Sequence, residues 1–138
     1  ELLEAYGFEL LDDSRMRLVE QIRTAVIELV HYRGEKQKVN LSEYLRERCH
    51  RDYSSLSKLF SEVAGITVEK YYLAQRIERV KELLAYGELT VGEIADRLHY
   101  SSAAHLSAQF RVQTGLSPTR FRQLKDHRLK PLDEVGKL

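Results

Sequence analysis

The sequence predicts an all-α fold in which two helix-turn-helix subdomains are joined by a long linker helix, about seven helices in all. Three observations lead there. Only 2 Pro and 7 Gly interrupt 138 residues, and they fall between apolar runs of helical period. Beyond the first dozen residues no stretch alternates as a half-buried strand does. The chain also repeats itself at an offset of fifty residues, and a repeat of supersecondary units fixes an architecture more firmly than local propensity.

The first dozen residues read differently from the rest. Leu2 to Leu11 looks like a helix end, a break at Gly7 and a short strand over Phe8–Leu11. This resembles the last helix and strand of a small ferredoxin-like domain; a plain tail is the other reading. Residues 1–13 are therefore set apart as the remnant of a preceding domain or a tail. A helix follows from Arg15 to Tyr32, with Leu18, Ile22, Ala25, Val26, Leu29 and Val30 on one stripe and Gly34 as its closing residue. Residues 14–86 make the first subdomain with its linker helix, 87–128 the second, and 129–138 a C-terminal tail.

Sliding the chain by fifty residues aligns Asn40–Tyr71 with Thr90–Phe121 without a gap. Identities are Glu43/Glu93, Leu56/Leu106, Ser57/Ser107, Phe60/Phe110 and Gly65/Gly115. The matched positions are structural ones. Asn40 with Glu43, and Thr90 with Glu93, have the spacing of a capping box. A short helix follows each, over Leu41–Arg48 and Val91–Leu98. Asp52 and Ser102 then cap a second helix, over 53–64 and 103–114, with Leu56 and Phe60, or Leu106 and Phe110, on its inner face. Gly65 and Gly115 end these helices. Thr67 and Ser117 cap the next, and Pro118 sits at a first position where its missing N–H costs nothing.

In a helix-turn-helix the second helix enters the major groove while the first braces it. Counting about 100° per residue places Ala103, Leu106, Phe110, Gln113 and Thr114 on the inner face of 103–114. Ala108 lies opposite, flanked by Ala104, His105, Arg111 and Val112. The matching residues of the first copy are Lys58, flanked by Ser54, Ser55, Ser61 and Glu62. Ser54, Ser55, Lys58, Ala104, His105 and Ala108 are thus the candidates to face bases. Ser57, Ser61, Ser107, Arg111, Arg120, Arg122 and Lys125 are the candidates to hold phosphates. Between the units, Val68–Tyr86 spans about 28 Å as a helix, a length suited to setting two such helices in successive major grooves, about 34 Å apart.

Charge agrees with a polyanionic partner at one end. From Arg97 to Lys130 seven basic side chains face Asp126 alone, whereas residues 1–40 hold six basic and eight acidic ones. The pattern Ile94-Ala95, Tyr100, Leu106-Ser107, Phe110-Arg111, Gly115-Leu116-Ser117-Pro118 and Phe121-Arg122 resembles the signature of the AraC/XylS family of bacterial transcription regulators. The resemblance covers about residues 14–125. It implies a DNA-binding domain of seven helices, specific binding to double-stranded promoter DNA, and a role as an activator that touches RNA polymerase; the ferredoxin-like reading of residues 1–13 adds a sensor domain on the N-terminal side. Two departures stand out. Where that family carries Gly in the turn, this chain has His99 and, in the first copy, Cys49. Where the second recognition helix of that family offers long polar side chains, this chain offers Ala104 and Ala108, which can contact only a thymine methyl. The second unit is therefore expected to supply phosphate grip more than base reading.

Other classes are disfavoured by what the chain lacks. There is no Gly-rich phosphate loop, nucleophile elbow or isolated carboxylate pair, so no enzyme is expected. His31, His50, His99, His105, His127 and Cys49 have no zinc-site spacing, so no metal or cofactor is expected. No apolar run is long enough to span a bilayer, and the lone Cys49 suits a reducing cytoplasm. The rival reading is a helical protein–protein interaction module that uses the same exposed helix faces.

Overall fold

In the computed structural model, residues 2–33 and 39–126 are described, with side chains over 13–32 and 39–126. Among them are seven α-helices and no strand. They are α1 (Leu2–Glu28), α2 (Leu41–Cys49), α3 (Tyr53–Ala64), α4 (Val68–Tyr86), α5 (Val91–Arg97), α6 (Ala103–Thr114) and α7 (118–126). One π-helical turn, Leu29–Arg33, follows α1. The chain divides into two compact units, Glu1–Gln75 and Arg76–Leu138, with the boundary inside α4.

The strand expected at Phe8–Leu11 is not formed, because α1 runs through those residues. Gly7 costs a helix about 1 kcal/mol, a penalty that neighbouring residues of good propensity absorb. An isolated strand, by contrast, leaves its backbone donors without a ladder. Gly34, His127 and the 129–138 tail lie outside the described residues.

In the first unit α1 is the spine. Val19, Ile22 and Val26 are buried on it, with Leu29 of the π-helical turn, against Leu45 of α2 and Leu56 and Phe60 of α3. Glu28 fastens α2 to α1. Its two carboxylate oxygens accept from Arg48 Nη2 at 2.9 Å and Nε at 3.0 Å, and one also accepts from the Tyr44 hydroxyl at 2.9 Å. In the second unit Ile77, Val80, Leu83 and Leu84 of α4 are buried together with Ile94, Ala95, Leu98, Tyr100, Leu106 and Phe110.

The repeat seen in the sequence is a repeat of geometry. Asp52 caps α3 by accepting from Ser55 N, and Ser102 caps α6 by accepting from His105 N, both at 3.0 Å. Both helices have twelve residues, and both stop at a glycine in the left-handed region, Gly65 at φ 80° and Gly115 at φ 81°, where a Cβ would be strained. Thr67 and Ser117 then accept from Lys70 N and Arg120 N, each at 3.1 Å. Phe60 meets the ring of Tyr71 at 5.5 Å, and Phe110 meets that of Phe121 at 5.6 Å.

Two local expectations need correcting. Thr90 and Glu93 complete a reciprocal capping box, but Asn40 does not pair with Glu43. Its Oδ1 instead receives the Ser42 amide at 2.9 Å and the Ser42 hydroxyl at 2.6 Å. The Oδ1 is thus taken up by the two Ser42 donors rather than by the Glu43 amide that a capping box would use. The second correction concerns the turns. His99 does take the left-handed conformation, at φ 63°, but in the first unit it is His50 at φ 55°, and Cys49 is the buried last residue of α2. The left-handed residue of the second unit thus comes one position earlier in the repeat. The shift lets Tyr100 turn inward, where only 6% of it stays exposed.

Candidate nucleic-acid interface

The face of α3 opposite Leu56 and Phe60 is polar. Ser54, Ser55, Lys58 and Glu62 are exposed, and Ser57 and Ser61 are half-buried at its edges. These side chains are not equivalent. The Ser55 hydroxyl donates to the Asp52 carboxylate at 2.9 Å, so its proton is committed and it presents an acceptor. Those same bonds, from the Ser55 amide first and its hydroxyl second, hold the Asp52 carboxyl below the usual range. Glu62 pairs with Arg15 of α1 at 2.9 Å. That pairing offsets a carboxylate that would otherwise repel a phosphate backbone, and it leaves Lys58 as the cation at the centre of the face. Behind the helix, Tyr53 donates to Glu69 at 2.5 Å, and burial together with that carboxylate pushes the phenol upward.

The matching face of α6 has another chemistry. Ala104, His105, Ala108, Arg111 and Val112 are exposed and Ser107 is half-buried. His105 has two contacts, with Nδ1 3.1 Å from the Ser101 hydroxyl and its ring nearly perpendicular to that of Tyr100 at 5.3 Å. Tyr100 is itself fixed from two sides. Its hydroxyl donates to Gln109 at 2.6 Å, and the Arg76 guanidinium lies 4.1 Å from its ring centre. Arg76 also donates to the Leu98 carbonyl at 2.6 Å, closing the end of α5. Ala103 and Gln113, expected on the inner face, are exposed; the buried stripe is narrower and consists of Leu106 and Phe110, with Thr114 half-buried.

The basic residues beyond α6 divide by role. Arg120 is exposed, and Lys125 lies over the Phe121 ring at 5.5 Å. Arg122, expected to hold phosphate, is half-buried and turned inward. Its Nε donates to the Leu84 carbonyl at 3.0 Å and its Nη2 to the Leu89 carbonyl. It ties the last turn of α4, where the Leu84 carbonyl also accepts from the Gly87 amide at 3.2 Å, to the loop residue Leu89. Arg15 therefore supports the outer face of α3 in the first unit, and Arg76 and Arg122 brace the second unit. Nothing local in the sequence marks them, because their partners lie 47, 22 and 38 residues away.

A family model described as a helix-turn-helix domain matches residues 45–124, from α2 to α7. The chain belongs to the AraC-type helix-turn-helix family. Among its relatives is the HTH-type transcriptional regulator ExsA of Pseudomonas aeruginosa, 26% identical over 129 residues, which covers 91% of this chain and 46% of ExsA. The DNA-binding domain of AdpA, solved with a target DNA, has a TM-score of 0.67 at 22% identity, covering 81% of this chain and 96% of that one. An AraC-type regulator from Chromobacterium violaceum has a TM-score of 0.66 at 22% identity, over 77% of this chain and 93% of that one. These two structures share the fold. The chain spans from 13% to 46% of the length of the first curated relatives it matches.

Proposed function

We propose that this chain is the sequence-specific, double-stranded DNA-binding part of a bacterial transcription regulator, with α3 and α6 each entering a major groove of promoter DNA. The observation that carries the reading is the pair of capped, glycine-ended recognition helices, each with a buried Leu and Phe beneath an exposed outer face. The DNA complex of AdpA, whose domain shares this fold, supports it. So does the description of ExsA as a transcriptional regulator.

The two helices divide the work. Ser54, Ser55 and Lys58 hydrogen-bond base edges. Ala104, His105 and Ala108 face bases with little to donate. Ser57, Ser61, Ser107, Arg111, Arg120 and Lys125 hold phosphates, and Arg122 leaves that group to serve as a clamp. The chain binds and does not catalyse. It acts in the cytoplasm, joined to a sensor domain on its N-terminal side and within reach of RNA polymerase.

The test is a salt titration of duplex binding. Phosphate contacts release counterions, so log affinity falls linearly with log salt, by about 0.9 per phosphate held. A steep slope together with a sequence preference supports the reading. Binding to a protein partner with no duplex affinity would favour the interaction-module reading instead.

A further inference from the structure

Along α6, Ala104, Ala108 and Val112 recur at every fourth position, and all three are exposed. Val112 is 82% exposed, more than any other large hydrophobic side chain among the described residues. At about 100° per residue they form a strip about 80° wide and about 12 Å long. It lies opposite Leu106 and Phe110, so the core of the unit does not need it. Exposed Arg111 borders it on one side and the braced His105 on the other. The equivalent strip of α3 is Ser54, Lys58 and Glu62. The same scaffold thus carries a polar reading strip in one copy and an apolar one in the other.

An apolar strip cannot read base edges by hydrogen bonding. The apolar group that a base pair displays in the major groove is the C5 methyl of thymine, and small aliphatic side chains are its natural contacts. Ala, Ala and Val bring methyl groups of graded reach, with no polar atom to be left unpaired against the groove. We propose that α6 is selective rather than merely adhesive. Its Ala104–Ala108–Val112 strip selects thymine methyls in its half-site, and Arg111 holds the flanking backbone. This rests on the DNA-binding reading above and adds the chemistry that the second half-site must display.

The experiment starts from duplexes selected by the chain from random sequence. Each thymidine of the selected site is then replaced, one at a time, by deoxyuridine, which keeps every hydrogen-bonding edge and removes only the C5 methyl. Loss of one buried methyl is expected to weaken binding about fourfold at two or three adjacent positions in one half-site, with little change in the other. Val112→Ala, at a position the fold does not use, is expected to abolish the effect at one of those positions. Tight, sequence-selective binding that is indifferent to deoxyuridine throughout would overturn the inference and leave the DNA-binding reading standing. Methyl sensitivity that survives Val112→Ala unchanged at every position would also overturn it. Absence of any salt-dependent duplex binding would overturn both, and the strip would then belong to a protein interface.

Discussion

At outward positions fifty residues apart, α3 carries Ser54, Lys58 and Glu62 where α6 carries Ala104, Ala108 and Val112. The residues beneath them are the same: Leu56 and Phe60 in one unit, Leu106 and Phe110 in the other, all at most 1% exposed. Packing constrains the inner face of a recognition helix, since a core position tolerates little change in volume. The outer face is under no such constraint and is set by what it meets. The turns before the helices differ for a related reason. The first unit leaves His50 outside, whereas the second folds Tyr100 inward beneath Arg76 and against His105. The first unit thus presents exposed polar side chains, and the second a helix braced by Tyr100.

The comparison breaks first at the core. Phe60→Ala and Phe110→Ala should each cost roughly 3–5 kcal/mol in a urea melt, because each empties a fully buried ring site. A small loss in one and a large loss in the other would mean that the two scaffolds are not equivalent. Next comes Arg122→Met, which keeps the stem but removes two donors from the Leu84 and Leu89 carbonyls. It should destabilise the chain by about 2 kcal/mol while leaving the salt slope of DNA binding unchanged. A flatter slope without loss of stability would return Arg122 to the phosphate-holding group.

The caps offer a milder distinction. Asp52 and Glu93 both have carboxyls held below their ordinary values, Asp52 by Ser55 and Glu93 by Thr90. A lowered folded value means that the stabilisation is fully present above the unfolded value and is lost as pH falls through the folded one. Asp52→Asn and Glu93→Gln should therefore lower the melting temperature slightly at neutral pH, and the gap to the parent should close as pH falls below about 4. A gap that widens in acid would contradict those assignments. The smallest effect is expected at the turn. His50 holds φ 55° and is exposed, so His50→Gly should be neutral or stabilising by up to about 1 kcal/mol in a thermal melt.

Much of this was legible in the sequence because its signals are local or periodic. The caps Asp52, Ser102, Thr67 and Ser117 and the stops Gly65 and Gly115 each act within a few residues of themselves, so spacing alone reveals them. The buried Leu and Phe of each recognition helix follow from helical period. The α6 strip is legible in part, since helical period puts Ala104, Ala108 and Val112 on one outward face, but the 82% exposure of Val112 comes only from the structure. The arginines were not legible. A basic residue after α6 reads the same whether its guanidinium meets a phosphate or, as with Arg122, a carbonyl 38 residues away. At Phe8–Leu11 the local signal misleads instead: Gly7 has the look of a break, yet α1 continues through it.

One competition assay separates the base-reading role of α3 from the phosphate contacts of Arg111 on α6. Lys58→Ala and Arg111→Ala are each titrated against duplexes with one or the other half-site mutated, at several salt concentrations. Lys58→Ala is predicted to relax preference at one half-site by about 1–3 kcal/mol. Arg111→Ala is predicted to weaken all duplexes alike and to flatten the salt slope by about one unit. A uniform loss on Lys58→Ala, with altered sequence preference on Arg111→Ala, would contradict the account.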